Sequence, residues 1–342
     1  MTDTTWDAIV IGGGAAGLSA AQALGRSLRR TLVLDGGEPR NRFAAHMHNV
    51  LGLDGTPPLE LLTRGRAEAE AYGVEFRSAT VRSVRDADGG AGDGDGDGDG
   101  DAGSPRAGAP LAPGGSVSIE LDSGAVLRTR ALIVATGVTD VLPEIPGLAE
   151  RWGQSVLHCP YCHGWEVRGQ RIAVVTTAPI GLHQAKLLRQ WSDDVTVFTA
   201  GLVGPDGASA LDAATERAML ARGMRLALAP VAEVLGSGAQ VTGVRTADGR
   251  EYGVDAIFTG FTMVPHDAFL SSIPLQRTET PMGSCIAVDP MQCTSHPRIW
   301  AAGNVVSPAA SVPLAMGAGN MAGAAANAAL VDEDYALAGA VA

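Results

Sequence analysis

Ala8-Ile9-Val10-Ile11-Gly12-Gly13-Gly14-Ala15-Ala16-Gly17 decides the fold of this chain. Four apolar residues read as a buried strand, G-x-G-x-x-G follows directly, and an Ala/Leu-rich stretch predicts a helix to about Arg29. The glycines divide the work. Gly12 makes the tight turn, Gly14 lets the backbone approach a pyrophosphate, and Gly17 lets the helix pack on the strand. The helix N-terminus, with Ala15 and Ala16 in its first turn, then faces the phosphates. A second apolar strand, Thr31-Leu32-Val33-Leu34, ends in Asp35, about the distance past the glycines at which an acidic side chain takes ribose hydroxyls. In a chain with 45 glycines a Gly-rich turn alone means little. Here strand, helix, strand and acid stand in register, so a dinucleotide site is expected.

His158-Cys159-Pro160-Tyr161-Cys162-His163-Gly164-Trp165-Glu166 carries the chemistry. Two thiols at this spacing close a reducible disulfide, and on the first turn of a helix the backbone N–H groups stabilise a thiolate. His163, beside Cys162, is a candidate to hold or deliver the proton a thiol loses in exchange, because an imidazole titrates near neutrality. Three other readings compete. Cys-x-x-Cys-His also attaches c-type haem, but that requires export, and Met1-Thr2-Asp3-Thr4 has no basic-then-apolar signal. Zinc needs a second pair, and Cys285 and Cys293 are badly spaced for one. The third reading is an inert buried pair.

Further along, Ala131-Leu132-Ile133-Val134 runs into Ala135-Thr136-Gly137, and Ile299-Trp300-Ala301-Ala302 runs into Gly303-Asn304 before a helix from about Val312 to Leu330. With these motifs the chain resembles, over nearly its whole length, the low-molecular-weight thioredoxin reductase family of flavoproteins. The resemblance implies an α/β protein of two Rossmann-like domains. The FAD domain is built from both chain ends, 1–145 and 264–342, and the inserted nicotinamide-domain-like unit, 146–263, carries the Cys pair. It also implies that Gly12 to Gly17 bind FAD, that Cys162 faces the flavin and that Cys159 is the interchange sulfur. Asn49, in the loop Glu38 to Gly55 with His46 and His48, becomes a polar contact to the flavin ring. Asn304 stands where the family usually has Asp near FAD, and Ser311, Val312 and Pro313 stand where N–H groups meet the flavin pyrimidine, although proline has none to give.

Two departures mark a branch of the family. His163 replaces the usual Asp after the pair. In the inserted unit, Arg171 to Val175, Leu182 to Trp191 and Val195 to Phe198 read as strand, helix and strand, but the phosphate loop between them has Thr176 and Ala178 where glycines belong, with Pro179 and Ile180 between them and Gly181. No Lys or Arg occurs from Thr199 to Glu216 to take a 2′-phosphate. The pattern is similar to the FAD-dependent dithiol oxidases of natural-product biosynthesis, of the gliotoxin and holomycin oxidase type. This likeness implies that a small-molecule dithiol reduces the Cys159–Cys162 disulfide and that dioxygen leaves as hydrogen peroxide, with His163 or else His158 as base. The alternative is a thioredoxin reductase-like disulfide reductase fed by NADPH or another donor.

Composition agrees. A chain of 342 residues suits two domains, and no apolar run stands out as long enough to span a bilayer, so a cytoplasmic enzyme without membrane contact is expected, as a homodimer. The net charge of −12 argues against nucleic acid as partner. Much of it comes from seven aspartates between Asp86 and Asp101, in an Asp/Gly-rich segment, 86–115, that is expected to be a disordered loop inserted in a hairpin of Val81 to Val84 with Val117 to Leu121. It is no calcium loop, since the twelfth position is Ser104 or Arg106 rather than Glu, and no metal is expected. Cys285 and Cys293 read as small buried residues. The Pro pairs at Pro143-Glu144-Ile145-Pro146 and Thr262-Met263-Val264-Pro265 read as the crossings between domains.

Overall fold

Strand β1 (Trp6–Ile11) is apolar at nearly every position because it is central in its sheet and covered on both faces. The computed structural model describes residues 5–87, 111–203, 209–280 and 282–341. After β1 come α1 (Ala15–Arg26), β2 (Thr31–Asp35), α2 (Pro58–Ala71), β3 (Glu75–Ser78), β4 (Val81–Asp86), β5 (Val117–Leu121) and β6 (Val126–Val134). The chain then passes through β7 (Val138–Val141) to β8 (Val156–Leu157), α3 (Pro160–His163), β9 (Ile172–Val175), α4 (Ile180–Leu188), β10 (Val195–Phe198), α5 (Ala213–Ala221) and β11 (Arg225–Ala227). Next are β12 (Val231–Ser237), β13 (Gln240–Thr246), β14 (Glu251–Gly253) and β15 (Ala256–Thr259). It returns through β16 (Thr262–Pro265) to β17 (Arg277–Thr280), β18 (Gly283–Ile286), β19 (Ile299–Ala301) and α6 (Val312–Val341).

Two compact units result. The first holds 1–40, 59–139 and 263–342. Its sheet runs β3-β2-β1-β6-β5-β4, with β1 parallel to β2 and β6. The long β6 is paired antiparallel with β5 along its first half and parallel with β19 along its second. One face of the sheet is covered by α1 and α6, and the other by Leu270, Ile273, Ile286 and Val305. The second unit holds 41–58 and 140–262. It has a five-stranded parallel sheet, β11-β10-β9-β15-β8, and an antiparallel ribbon, β12-β13-β14.

Several expectations need correcting. The first crossing is not the Pro143–Pro146 pair. β7 and β16 pair with each other as a two-stranded sheet, so the crossing comes earlier, while Pro146 accepts a hydrogen bond from Val234 inside the second unit. The loop 41–58 belongs to that unit as well. The Asp/Gly-rich segment falls mostly outside the described residues, and its described ends are built into the fold. Asp86 lies in β4 and meets His296 Nε2 at 2.9 Å, and Leu111 is buried in the core. The last helix runs on to Val341, and by length and composition it is apolar enough to cross a membrane. Its apolarity comes largely from alanine and glycine, which let it lie against α1. A Cβ at Gly319 or Gly323 would strike the Ala16 or Ala20 carbonyl.

Helix α6 also carries a buried carboxylate. Glu333 takes Arg298 Nη2 at 2.8 Å on one oxygen and Arg130 Nε and Nη2 at 3.0 and 2.8 Å on the other. Burial alone pushes its carboxyl up, but the two guanidiniums outweigh that and hold it below the usual carboxylate range. Glu333→Ala leaves Arg298 buried without its partner and is expected to cost about 3–5 kcal/mol in urea unfolding. A loss under about 1 kcal/mol would remove the pair from the account of stability. Because the folded pKa is depressed, the contribution is full above the unfolded carboxylate pKa of about 4.3 and fades as pH falls through the folded value.

Candidate active site

The nucleotide end of the first unit is built on three glycines with different constraints. Gly12 has φ of +106°, and a Cβ there would run into the Ala135 carbonyl. At Gly17 it would strike the Gly12 carbonyl, so strand and helix meet through bare backbone. At Gly14 it would meet nothing within 4 Å. Gly14 caps α1 without a side chain, so the amides of Ala15 and Ala16 have no side-chain cap. Asp35 Oδ1 accepts the N–H of Gly13 at 3.0 Å and of Gly37 at 3.3 Å, which aims the carboxylate beside the turn. That contact explains Gly13 as well, because a Cβ would sit 2.6 Å from Asp35. An open turn, unspent helix amides and an oriented carboxylate fit the pyrophosphate and ribose of FAD.

Hydrogen bonds and turns within the first unit hold the other expected cofactor residues in place. Thr136 Oγ1 donates to the His266 carbonyl at 2.6 Å, and the His266 ring meets Thr136 O at 3.1 Å and Thr139 Oγ1 at 2.6 Å. The Ala135-Thr136-Gly137 element is therefore fixed by His266, a residue that sequence spacing did not reveal. Gly303 has φ of +81° and turns the chain beside Ala16. Asn304 Nδ2 reaches the carbonyls of Ser307, Pro308 and Ala310 at 3.1, 3.2 and 3.0 Å. Three carbonyls need a donor, which is a physical reason for Asn where an Asp was the family's choice. Val312 opens α6, and Pro313 sits in the first turn, where its missing N–H breaks no helical bond.

In the second unit Cys159 and Cys162 form a disulfide with Cα atoms 5.2 Å apart. Cys159 is the N-cap of the short α3, Pro160 occupies its first position, and Cys162 N–H donates to Cys159 Sγ at 3.2 Å. Gly164 ends the element because Trp191 packs where a Cβ would stand. On reduction, that N–H stabilises a thiolate at Cys159. His158 Nδ1 lies 3.0 Å from the Thr259 carbonyl, and Gln184 Nε2 donates to the His158 carbonyl at 2.8 Å. The His163 pKa is lowered, chiefly by burial, with Glu166 raising it and His48 lowering it further. An imidazole in that state is neutral at neutral pH and can take a proton.

Asn49 is joined to the cysteine segment. Its Nδ2 donates to the Tyr161 carbonyl, between the two cysteines, at 2.8 Å. The loop brings His48 and Asp54 with it, and His48 contacts Asp54 at 3.3 Å and Glu166 at 3.5 Å. Asn49 and Tyr161 are 112 positions apart, so no local pattern foretold the pairing.

The turn after β9 differs from the turn after β1. Thr176 is buried, its Oγ1 donates to the Phe198 carbonyl at 2.6 Å, and its methyl packs against Gly181. At the start of α4, Gly181 N–H donates to Ala178 O and Leu182 N–H to Pro179 O, at 2.9 and 3.1 Å. Side chain and local turn bonds occupy what an open glycine turn would leave to a phosphate.

The family model of pyridine nucleotide-disulphide oxidoreductases matches residues 6–322. The chain belongs to that family. This family member is an FAD-binding flavoprotein and a thiol-disulfide oxidoreductase, similar to thioredoxin reductases. Thioredoxin reductase tcpT of Claviceps purpurea is 30% identical over 322 residues, 92% of this chain and 91% of that protein. Thioredoxin reductase sirT of Leptosphaeria maculans is 29% identical over 330 residues, 91% and 90% of the two. The solved structure of HlmI, 38% identical, matches with a TM-score of 0.84 over 98% of this chain and 96% of its own. An oxidoreductase from Agrobacterium tumefaciens, 37% identical, matches with a TM-score of 0.81 over 96% and 99%.

Proposed function

We propose that this protein runs its disulfide chemistry as an oxidation: it closes a small-molecule dithiol, of natural-product type, to the cyclic disulfide and passes the electron pair to dioxygen. The filled turn at Thr176 to Gly181 carries the reading. A reductase fed by NADPH needs a phosphate cradle in its second βαβ unit, and here that unit remains while the cradle is occupied by Thr176 and by the turn bonds of Ala178 and Pro179. The relatives named thioredoxin reductase support exchange at the cysteine pair without fixing its direction.

The steps balance. A substrate thiolate attacks Cys159 Sγ, the enzyme S–S bond breaks, and Cys162 leaves as thiolate. The second substrate thiol attacks the substrate sulfur of the mixed disulfide and releases Cys159, whose thiolate meets the waiting Cys162 N–H. His163 takes the proton of a substrate thiol. The Gly12 to Gly17 turn, the α1 amides and Asp35 would hold FAD, which when bound would supply the route for the electron pair of the reduced cysteines to dioxygen, so that each substrate disulfide formed would accompany one hydrogen peroxide.

Anaerobic stopped-flow absorbance tests the direction. Small dithiols are expected to bleach the flavin at least about a hundredfold faster than NADPH at equal concentration, a ratio that two lost phosphate-cradle interactions would supply. In air, peroxide is expected to appear one for one with substrate disulfide. Rapid bleaching by NADPH, with no peroxide from dithiols, would reassign the protein as a disulfide reductase.

A further inference from the structure

The geometry around the cysteine pair points to a role for a residue that the exchange steps do not use. We propose that His48 is a positioning residue, which engages the Glu166 carboxylate from the loop 46–54 and so leaves His163 free to work as a neutral base. The proposal rests on the reading of His163 as the base of the proposed function.

The loop is shaped to deliver His48 to that place. Asn49 adopts φ of +61°, a left-handed conformation that asparagine tolerates better than most residues, and Asp54 secures it by accepting the Asn49 N–H at 2.9 Å. The Asn49 side chain then bonds the Tyr161 carbonyl, which seats the loop on the Cys-x-x-Cys segment. Between these anchors, His48 faces Asp54 Oδ2 with Nδ1 and Glu166 Oε1 with Nε2, so each ring nitrogen has its own carboxylate. The Asp54 carboxyl is held below its usual value by the Asn49 N–H first and by His48 next. It is therefore an anion at neutral pH and orients the ring, as carboxylates orient imidazoles elsewhere.

Glu166 lies three residues after His163 and, left alone, would favour the imidazolium. A protonated His163 cannot accept a proton from a thiol. The charged or titratable groups that bear on His163 are Glu166 from its own segment and His48 from the loop, with opposite signs. The Val167 N–H bond to the His163 carbonyl at 3.4 Å keeps Glu166 on the turn that follows His163, and the His48 Nε2 contact at 3.5 Å engages that carboxylate in competition with His163.

Histidine NMR titration of the FAD-loaded protein decides the matter without any turnover, with the His163 resonance assigned by its loss in His163→Ala. In the parent protein His163 is expected to titrate below the ordinary histidine value. In His48→Ala its midpoint rises, and in Glu166→Gln it falls below that of the parent. Opposite shifts from two partly exposed side chains cannot come from a general loosening of the fold. An unchanged His163 midpoint in folded His48→Ala protein would overturn the proposal. Turnover reports separately on the base. At about pH 6, kcat/KM of His48→Ala is expected to fall roughly two- to fivefold, the scale of a partly exposed ion pair, and to recover as pH rises. If the NMR midpoint rises while the acid limb of turnover stays, His48 acts on His163 as stated and the base of the proposed function lies elsewhere.

Discussion

Cys162→Ser and Cys159→Ser are each expected to abolish turnover, by at least about 10⁴-fold, yet to leave proteins that behave differently towards a disulfide. The pair is the only disulfide among the described residues, and Cys285 is buried on β18 with its thiol pushed up by that burial. Cys293, expected to be buried, is half-buried instead and forms a β-bridge with Trp300 of β19 in the first unit. Cys162→Ser keeps the backbone N–H that donates to Cys159 Sγ, so the remaining sulfur retains its thiolate stabilisation. Mixed with a small disulfide, this variant should form a stable mixed disulfide at Cys159, because the thiol that would resolve it is gone. Cys159→Ser keeps a sulfur without that hydrogen bond and should capture the probe much more slowly. Intact-mass measurement after incubation reads both. Capture predominantly at Cys162, or residual turnover above the uncatalysed rate, would reverse the assignment of the interchange sulfur.

The parts of this molecule that were legible in the sequence are those whose physics is local. A βαβ unit with a glycine turn announces itself within thirty residues, because strand period, turn geometry and helix packing act on neighbours in the chain. The pairings β1 with β2 and β4 with β5 follow from such local signals. The cysteine motif is local too. What escaped is assembled by the fold from distant pieces. His266 fixes Thr136 across 130 positions, Arg130 meets Glu333 across 203, and Asn49 reaches Tyr161 across 112. Family likeness pointed Asn49 at the flavin, and no local signal announced its hydrogen bond to the cysteine segment. The crossing at Pro143 to Pro146 failed for a related reason. Proline stiffens a segment but does not say which strand will pair with it, and β7 found β16.

Gly14→Val is expected to give folded, colourless protein, and its contrast with its two neighbours in the motif is what makes the result informative. Valine at Gly12 would meet the Ala135 carbonyl at a φ of +106°, and valine at Gly17 would meet the Gly12 carbonyl. Both should damage folding itself. Gly14 has an extended backbone, φ −77° and ψ −175°, that valine adopts readily, and no protein atom lies within 4 Å of the added Cβ. The cost to the fold is then the loss of a tolerated N-cap residue, about 1 kcal/mol. The cost to the cofactor is larger. The side chain occupies the space over the α1 amides, where overpacking costs about 1–3 kcal/mol and each forfeited charged hydrogen bond about 1.5–3 kcal/mol. Together these weaken FAD binding on the order of 10³-fold. The checks are the absorbance of the purified protein, the FAD released on denaturation, and circular dichroism to establish that the fold survives. Stoichiometric flavin in folded Gly14→Val protein would mean that the pyrophosphate does not cross this turn, and the cofactor site would have to be placed elsewhere in the first unit.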